Sequence, residues 1–230
     1  MNKKIVFVGI ALFTIILLAI AISLPEKKSE PFKEKLLGID YSIDGNEEDL
    51  NNYDTTNPVA ALYIEGYGSV VIELYPDIAP NTVNNFISLV KSGFYDNNTF
   101  HRLMVGFVLQ GGDPTGNGTG GPGYHIKGEF TNNGFKNDLK HEKGIISMAR
   151  SNENDSAGSQ FFIMLGRADW LDDNYAAFGR VIAGMDIVEA IEKGEVVSDS
   201  QSGKLAHNLV LKKAVIDLKG KEYPEVEKIN

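Results

Sequence analysis

The sequence predicts a mainly β domain, an antiparallel barrel or sandwich with helical caps, standing behind an N-terminal membrane-spanning helix. Three observations carry this expectation. Residues 5–24 are 20 consecutive uncharged, mostly apolar residues. Between residues 58 and 218 short apolar runs recur, bounded by Gly-rich or polar loops. Only two stretches of that region read as amphipathic helices.

Taken in order, residues 5–24 form a helix long enough to cross a hydrocarbon core of about 30 Å. A secretory apolar segment is shorter, roughly 7–15 residues. Ala19-Ile20-Ala21 still offers a cleavage pattern, so a secreted chain beginning at Ile22 is the alternative. Lys3 and Lys4 precede the segment, which favours a cytoplasmic N-terminus and a domain outside the cytoplasm. Residues 25–57 are rich in charge, Asn and Gly and keep no apolar period, as expected of a polar acidic linker. Ala60, Leu62 and Ile64 alternate, as do Val70, Ile72 and Leu74 beyond a Gly66–Gly68 turn, which predicts a hairpin. Pro80 opens a helix carrying Val83, Phe86, Ile87 and Val90, and Gly93 stops it. Further strands are expected at 105–109, 145–149, 161–165 and 177–182. Ile187, Val188 and Ile191 mark the second helix, and 209–218 the last strand. The domain is bounded at 58–220, with 221–230 as a tail.

Charge and composition exclude several functions. The 230 residues carry 22 basic and 31 acidic side chains, a net charge of -9 that disfavours nucleic acid as a partner. There is no cysteine, hence no disulfide, thiolate metal site or cysteine nucleophile. The four histidines lack metal-ligand spacing, and no G-x-S-x-G elbow occurs. GNGTGG at 116–121 matches a dinucleotide fingerprint in letters only. Asp113-Pro114 precedes it and Pro122 breaks any following helix. Asn97, Asn117 and Asn154 head N-x-S/T sequons.

Two stretches concentrate chemistry: FHRLMVGFVLQGGD at 100–113 and SMARSNENDSAGSQFFIMLGRADWL at 147–171. With APNTVNNFISLVKSGFYDNNTFHR, GTGGPGY, AGSQFFI and WLDDNYAAFGRVIAGMDIVEAI they fall in an order and spacing that resembles the cyclophilins, a family of peptidyl-prolyl cis–trans isomerases. The resemblance covers about residues 58–218. It implies a closed eight-stranded antiparallel barrel capped by two helices. It places the catalytic arginine on Arg102 and the pocket residues on His101, Phe107, Gln110, Gly118, Ala149, Gln160, Phe162, Trp170 and Leu171. Two positions depart: Arg150 stands where the family often has Asn, and Tyr175 where a pocket His is common in eukaryotic members. Taken singly, Phe107, Phe162 and Leu171 read as core residues and Arg102 as a surface charge. Their ordered coincidence carries the assignment.

The implied reaction needs neither cofactor nor metal, because no bond is broken. Its partners are proline-containing polypeptides, with cyclosporin as a further implied ligand and Arg150 and Tyr175 expected to weaken it. A non-catalytic proline-peptide-binding module or chaperone on the same fold is the alternative.

Overall fold

The computed structural model describes residues 47–195 and 197–229, with side chains from Leu50 onward. The span at 5–24, its cleavage alternative and most of the linker lie outside the described residues. No helix among the described residues is long and apolar enough to cross a membrane.

Among the described residues nine antiparallel strands are present: β1 (Val59–Ile64), β2 (Gly68–Leu74), β3 (Asn98–Met104), β4 (Val108–Gly111), β5 (Ile145–Met148), β6 (Phe161–Met164), β7 (Ala177–Ala183), β8 (Val197–Asp199) and β9 (Lys204–Asp217). Their order is β1-β2-β7-β5-β6-β4-β3-β9, and β1 pairs β9, so eight strands close a barrel. Closure decides between barrel and sandwich, and it removes the sheet edges. β8 stands outside the closed ring, paired to the start of β9.

Side chains alternate across the barrel wall. Leu109, Phe161, Ile163, Ile146 and Phe178 fill the interior. Val108, Phe162, Met164, Ile145 and Ala177 form a second apolar cluster on the outer face. This period of two also explains why short β5 and β6 are buried along their whole length: both faces are covered.

Helix α1 (Pro80–Lys91) and helix α2 (Met185–Gly194) occupy the expected positions. In α1 Phe86 stacks among Tyr95, Phe161 and Phe178 at centroid distances of 5.2–5.6 Å. Ala79 supplies no capping side chain; the Glu129 carboxylate accepts from the Asn81 and Thr82 N–H groups at 3.0 and 2.7 Å instead. Gly93 takes φ +70° beyond the C-cap, the left-handed conformation that favours glycine. In α2 the buried face is Ile187, Val188 and Ile191.

Three expectations shift. The apolar run 105–109 is not one strand: 105–107 form a turn between β3 and β4. The last strand begins at Lys204, five residues before the apolar run that announced it. Residues 47–57, assigned to the linker, pack on the barrel. A 3₁₀ helix at Glu47–Asn52 buries Leu50 completely against Val59, Ala61, Val71 and Val215. Replacing Leu50 with Ala should therefore cost about 2–4 kcal/mol in urea unfolding of the domain. No loss would show this lid to be dispensable.

Candidate active site

The site begins with a register irregularity. Phe100 and Leu103, three apart in β3, both point into the barrel core. Strict alternation forbids that. The pairing of β3 with β9 shifts between Phe100 and Arg102, which leaves both His101 and Arg102 outside the core. Arg102 is then directly opposite Gln110 on β4, and Gln110 is opposite Phe162 on β6. Cation, amide and aromatic ring lie in one row across three strands. Ser147 of β5 continues the row beyond Phe162.

A cavity of about 310 Å³ opens above that row. Arg102, Gln110 and Arg150 supply its polar side chains, with Tyr175 at the rim, while Phe107, Val108, Ala149, Phe162, Trp170 and Leu171 supply its apolar wall. Phe162 and Leu171 are almost fully buried, whereas Trp170 is 67% exposed and tilts against Phe107 at 5.7 Å. Nine expected residues thus share one pocket: Arg102, Phe107, Gln110, Ala149, Arg150, Phe162, Trp170, Leu171 and Tyr175. A larger opening of about 630 Å³ lies between α1 and the C-terminal segment and contains none of them.

The other three expected residues stand behind the pocket. Gln160 donates to the Gly118 and Gly120 carbonyls at 3.0 Å each. Its Oε1 accepts from Gln110 Nε2 at 3.0 Å, and Gln110 Oε1 accepts from Arg102 Nη1 at 3.2 Å. Gly118 therefore acts through its carbonyl, at the head of an amide relay that ends on the guanidinium. His101 does not line the pocket. A Cβ on Gly118 would sit 3.8 Å from His101 Nε2, and the buried Nδ1 has no hydrogen-bond partner among the described residues. Burial lowers its pKa from the ordinary histidine value, Arg102 adding to the effect and Asp113 opposing it.

Arg102 is held on three sides. Nε donates to the Ser202 carbonyl at 3.0 Å and Nη2 to the Met104 sulfur at 2.6 Å, besides the Gln110 contact. A guanidinium has five N–H groups. One on each terminal nitrogen remains for a ligand. Burial lowers the arginine's pKa, with the Tyr175 phenol opposing, but an arginine stays charged at neutral pH.

Several supporting residues carry no signal in the sequence. Ser202 contributes only a backbone carbonyl, from the β8–β9 turn. Asp113, 1% exposed, accepts from Thr115, Asn117 and Gly118 and so fixes the loop that anchors Gln160. Burial would raise its pKa, but these hydrogen bonds outweigh burial and bring it to about 2. Beneath Phe162, His141 Nδ1 lies 3.1 Å from Asp172 and Nε2 lies 3.0 Å from Ser147 Oγ. Arg167 holds Asp172 at 2.7 Å. The Asp172 carboxylate thus assigns the proton to Nδ1, and Nε2 accepts from Ser147. This array has the connectivity of a hydrolytic triad. Ser147 and His141 are nonetheless wholly buried, so the array is a floor for the pocket.

The pH dependence of stability follows. Burial lowers the pKa of both His101 and His141, so each contributes stability that is complete above the unfolded value of about 6.5 and lost as pH falls below it. Asp113 adds a second loss between about pH 4 and 2. Urea titrations should show a plateau above pH 7 and two descending steps. Stability rising between pH 7 and 5 would contradict these assignments.

The comparisons with known proteins agree with this architecture. Residues 59–215 match the family model described as cyclophilin type peptidyl-prolyl cis-trans isomerase. The chain is 43% identical over 136 residues to peptidyl-prolyl cis-trans isomerase B of Bacillus subtilis, covering 59% of this chain and 92% of that one. It is 42% identical over 151 residues to peptidyl-prolyl cis-trans isomerase-like 1 of Gibberella zeae, covering 65% and 90%. A longer relative from Arabidopsis thaliana is 42% identical over 147 residues, 63% of this chain, and the match spans 23% of that protein's length. Among solved structures, a Cryptosporidium parvum cyclophilin type isomerase in the presence of the dipeptide Ala-Pro superposes with a TM-score of 0.62. It is 32% identical, and the match covers 69% of this chain and 98% of that one. Barrel closure, motif order and these matches converge, and the chain belongs to the cyclophilin-type peptidyl-prolyl cis–trans isomerases.

Proposed function

We propose that this isomerase seats a proline-containing polypeptide segment in the pocket above the Arg102–Gln110–Phe162 row and that Arg102 drives rotation of the X–Pro bond. The row itself is the observation that carries the reading. It sets a pre-oriented cation with two unspent N–H groups against an apolar slot. The barrier to rotation, about 18–20 kcal/mol, is amide resonance. In the twisted state conjugation is lost, and the proline nitrogen gains a lone pair that accepts a hydrogen bond. Arg102 supplies that donor only where the lone pair exists, so it binds the transition state better than either ground state. Phe107, Phe162 and Leu171 clamp the proline ring while the preceding carbonyl swings. Gln110 and Gln160 keep the guanidinium aimed. The Ala-Pro dipeptide named with the Cryptosporidium relative supports proline peptides as the substrate class. Cyclosporin binding belongs to the same reading, with Trp170 exposed at the rim beside Phe107.

The place of action in this proposal is the outer face of a membrane. Residues 5–24 act as an uncleaved single-pass anchor, and the client chains are folding outside the cytoplasm. Secretion after cleavage is the competing outcome. Retention in membranes through a carbonate wash, with digestion of the domain by protease added to spheroplasts, is the expected result. A soluble chain starting at Ile22 would favour secretion. Complete protection from external protease would reverse the topology.

An X–Pro peptide assay tests the chemistry. Turnover is expected to be nearly flat between pH 6 and 8, because no proton is transferred. Peptide binding without acceleration would make the domain a binding module, and a steep change across the histidine range would point to proton transfer by His101.

A further inference from the structure

We propose that Arg150 makes this isomerase selective for peptides that carry a carboxylate side chain next to the proline. The inference rests on the reading of the pocket as the proline site. The chain has four arginines. Arg167 is paired with Asp169 and Asp172, and Arg180 with Glu142. Arg102 and Arg150 both line the pocket, and neither has a carboxylate within ion-pair distance among the described residues. The two arginines without an anionic partner are therefore the two that a substrate meets.

Arg150 is fixed in place. Nε and Nη2 both donate to the Asn174 carbonyl, at 3.1 and 2.9 Å, and Nη1 donates to the Ser151 and Asn152 carbonyls at 2.9 and 3.4 Å. Its guanidinium carbon lies 5.0 Å from the Phe130 ring centroid and 4.6 Å from that of Tyr175. These contacts spend four of its five N–H groups on neutral acceptors and leave one on Nη2. They stabilise the cation without cancelling its charge. Of the carboxylates on neighbouring segments, Asp155 accepts from the Gly128 N–H and Asn133, Asp169 and Asp172 serve Arg167, and Glu153 and Asp173 form no ion pair with Arg150 among the described residues.

Tyr175 lines the same pocket as both charges. Its ring meets Arg150 at 4.6 Å and packs edge-on against Phe162 at 6.0 Å. The protein as a whole is acidic, but at physiological salt that field decays over about 8 Å. A peptide already seated in the pocket therefore responds to the local cations. A fixed cation also loses little side-chain entropy on pairing with an anion, unlike a mobile surface lysine.

The test compares acetylated, amidated X–Pro peptides that differ only in Glu, Gln or Lys immediately before or after the proline. The readout is the Glu-to-Gln ratio of kcat/KM within each protein, which cancels losses common to both peptides. In the wild type the ratio should be about three- to tenfold at one of the two positions at low ionic strength, shrinking toward one in high salt. The Lys peptide should fall below the Gln peptide. In Arg150→Gln, or in Arg150→Met, which keeps an apolar stem beside Phe130 and Tyr175, the ratio should drop to about one. A wild-type ratio of one or less at both positions overturns the proposal. So does a ratio that survives in whichever neutral variant folds, which would assign the preference to Arg102. Failure of the underlying reading is separately visible, because the wild type would then not turn over the Gln peptide at all.

Discussion

Arg102→Ala should lower kcat/KM on an X–Pro peptide by about 10²–10³-fold while the barrel stays folded. The size is that of removing a donor aimed at charge present only in the transition state, about 3–4 kcal/mol. The side chain projects outward from the β3 irregularity, and neither of its interior neighbours in β3, Phe100 and Leu103, depends on it. Circular dichroism and urea midpoint should therefore move little. Arg102→Lys should recover only a small part of the rate. A lysine carries the charge but lacks the fork that reaches Ser202, Gln110 and Met104 together while leaving two N–H groups over. Turnover within threefold of the wild type in Arg102→Ala would remove the arginine from the mechanism.

The second large effect is on stability. His141→Leu should cost about 2–4 kcal/mol, read as a fall in urea midpoint. The leucine leaves Ser147 Oγ buried without its acceptor and removes one donor from Asp172. It also alters the surface on which Phe162 stacks, at 6.2 Å between ring centroids. Because Phe162 walls the pocket proposed to seat the proline, KM should rise along with the loss of stability. A variant as stable as the wild type would show that the Ser147–His141–Asp172 array is not a support.

Both variants mark where the sequence is legible. The two helices could be read directly, because Val83, Phe86, Ile87 and Val90, and later Ile187, Val188 and Ile191, repeat with a helical period against an apolar core. The β1–β2 hairpin was equally plain. β3 was not. Its outward face carries His101 and Arg102 in succession, and the register shift that makes this possible breaks the alternation by which strands are recognised. β8 has one half-buried and two exposed residues, so it offers no apolar run to read. Leu50 sits alone among polar residues in EEDLNN, and a single buried leucine has no period. The pocket residues were legible through their order along the chain. Their supports were not, because a backbone carbonyl at Ser202 and a buried carboxylate at Asp113 owe their roles to tertiary placement. His141 looked like a histidine without a metal partner, and only the fold brings Asp172 and Ser147 to it.

In the proposed mechanism Arg102 acts on the rotating bond more than on peptide affinity. NMR exchange spectroscopy on one X–Pro peptide measures both quantities in a single sample: shift changes on titration report binding, and cis–trans cross-peaks report rotation on the protein. With Arg102→Ala the titration shifts should persist, with Kd within about fivefold of the wild type, while the enzyme-dependent exchange cross-peaks should disappear. Cross-peaks that persist at wild-type intensity, or shifts and cross-peaks that vanish together, would contradict it.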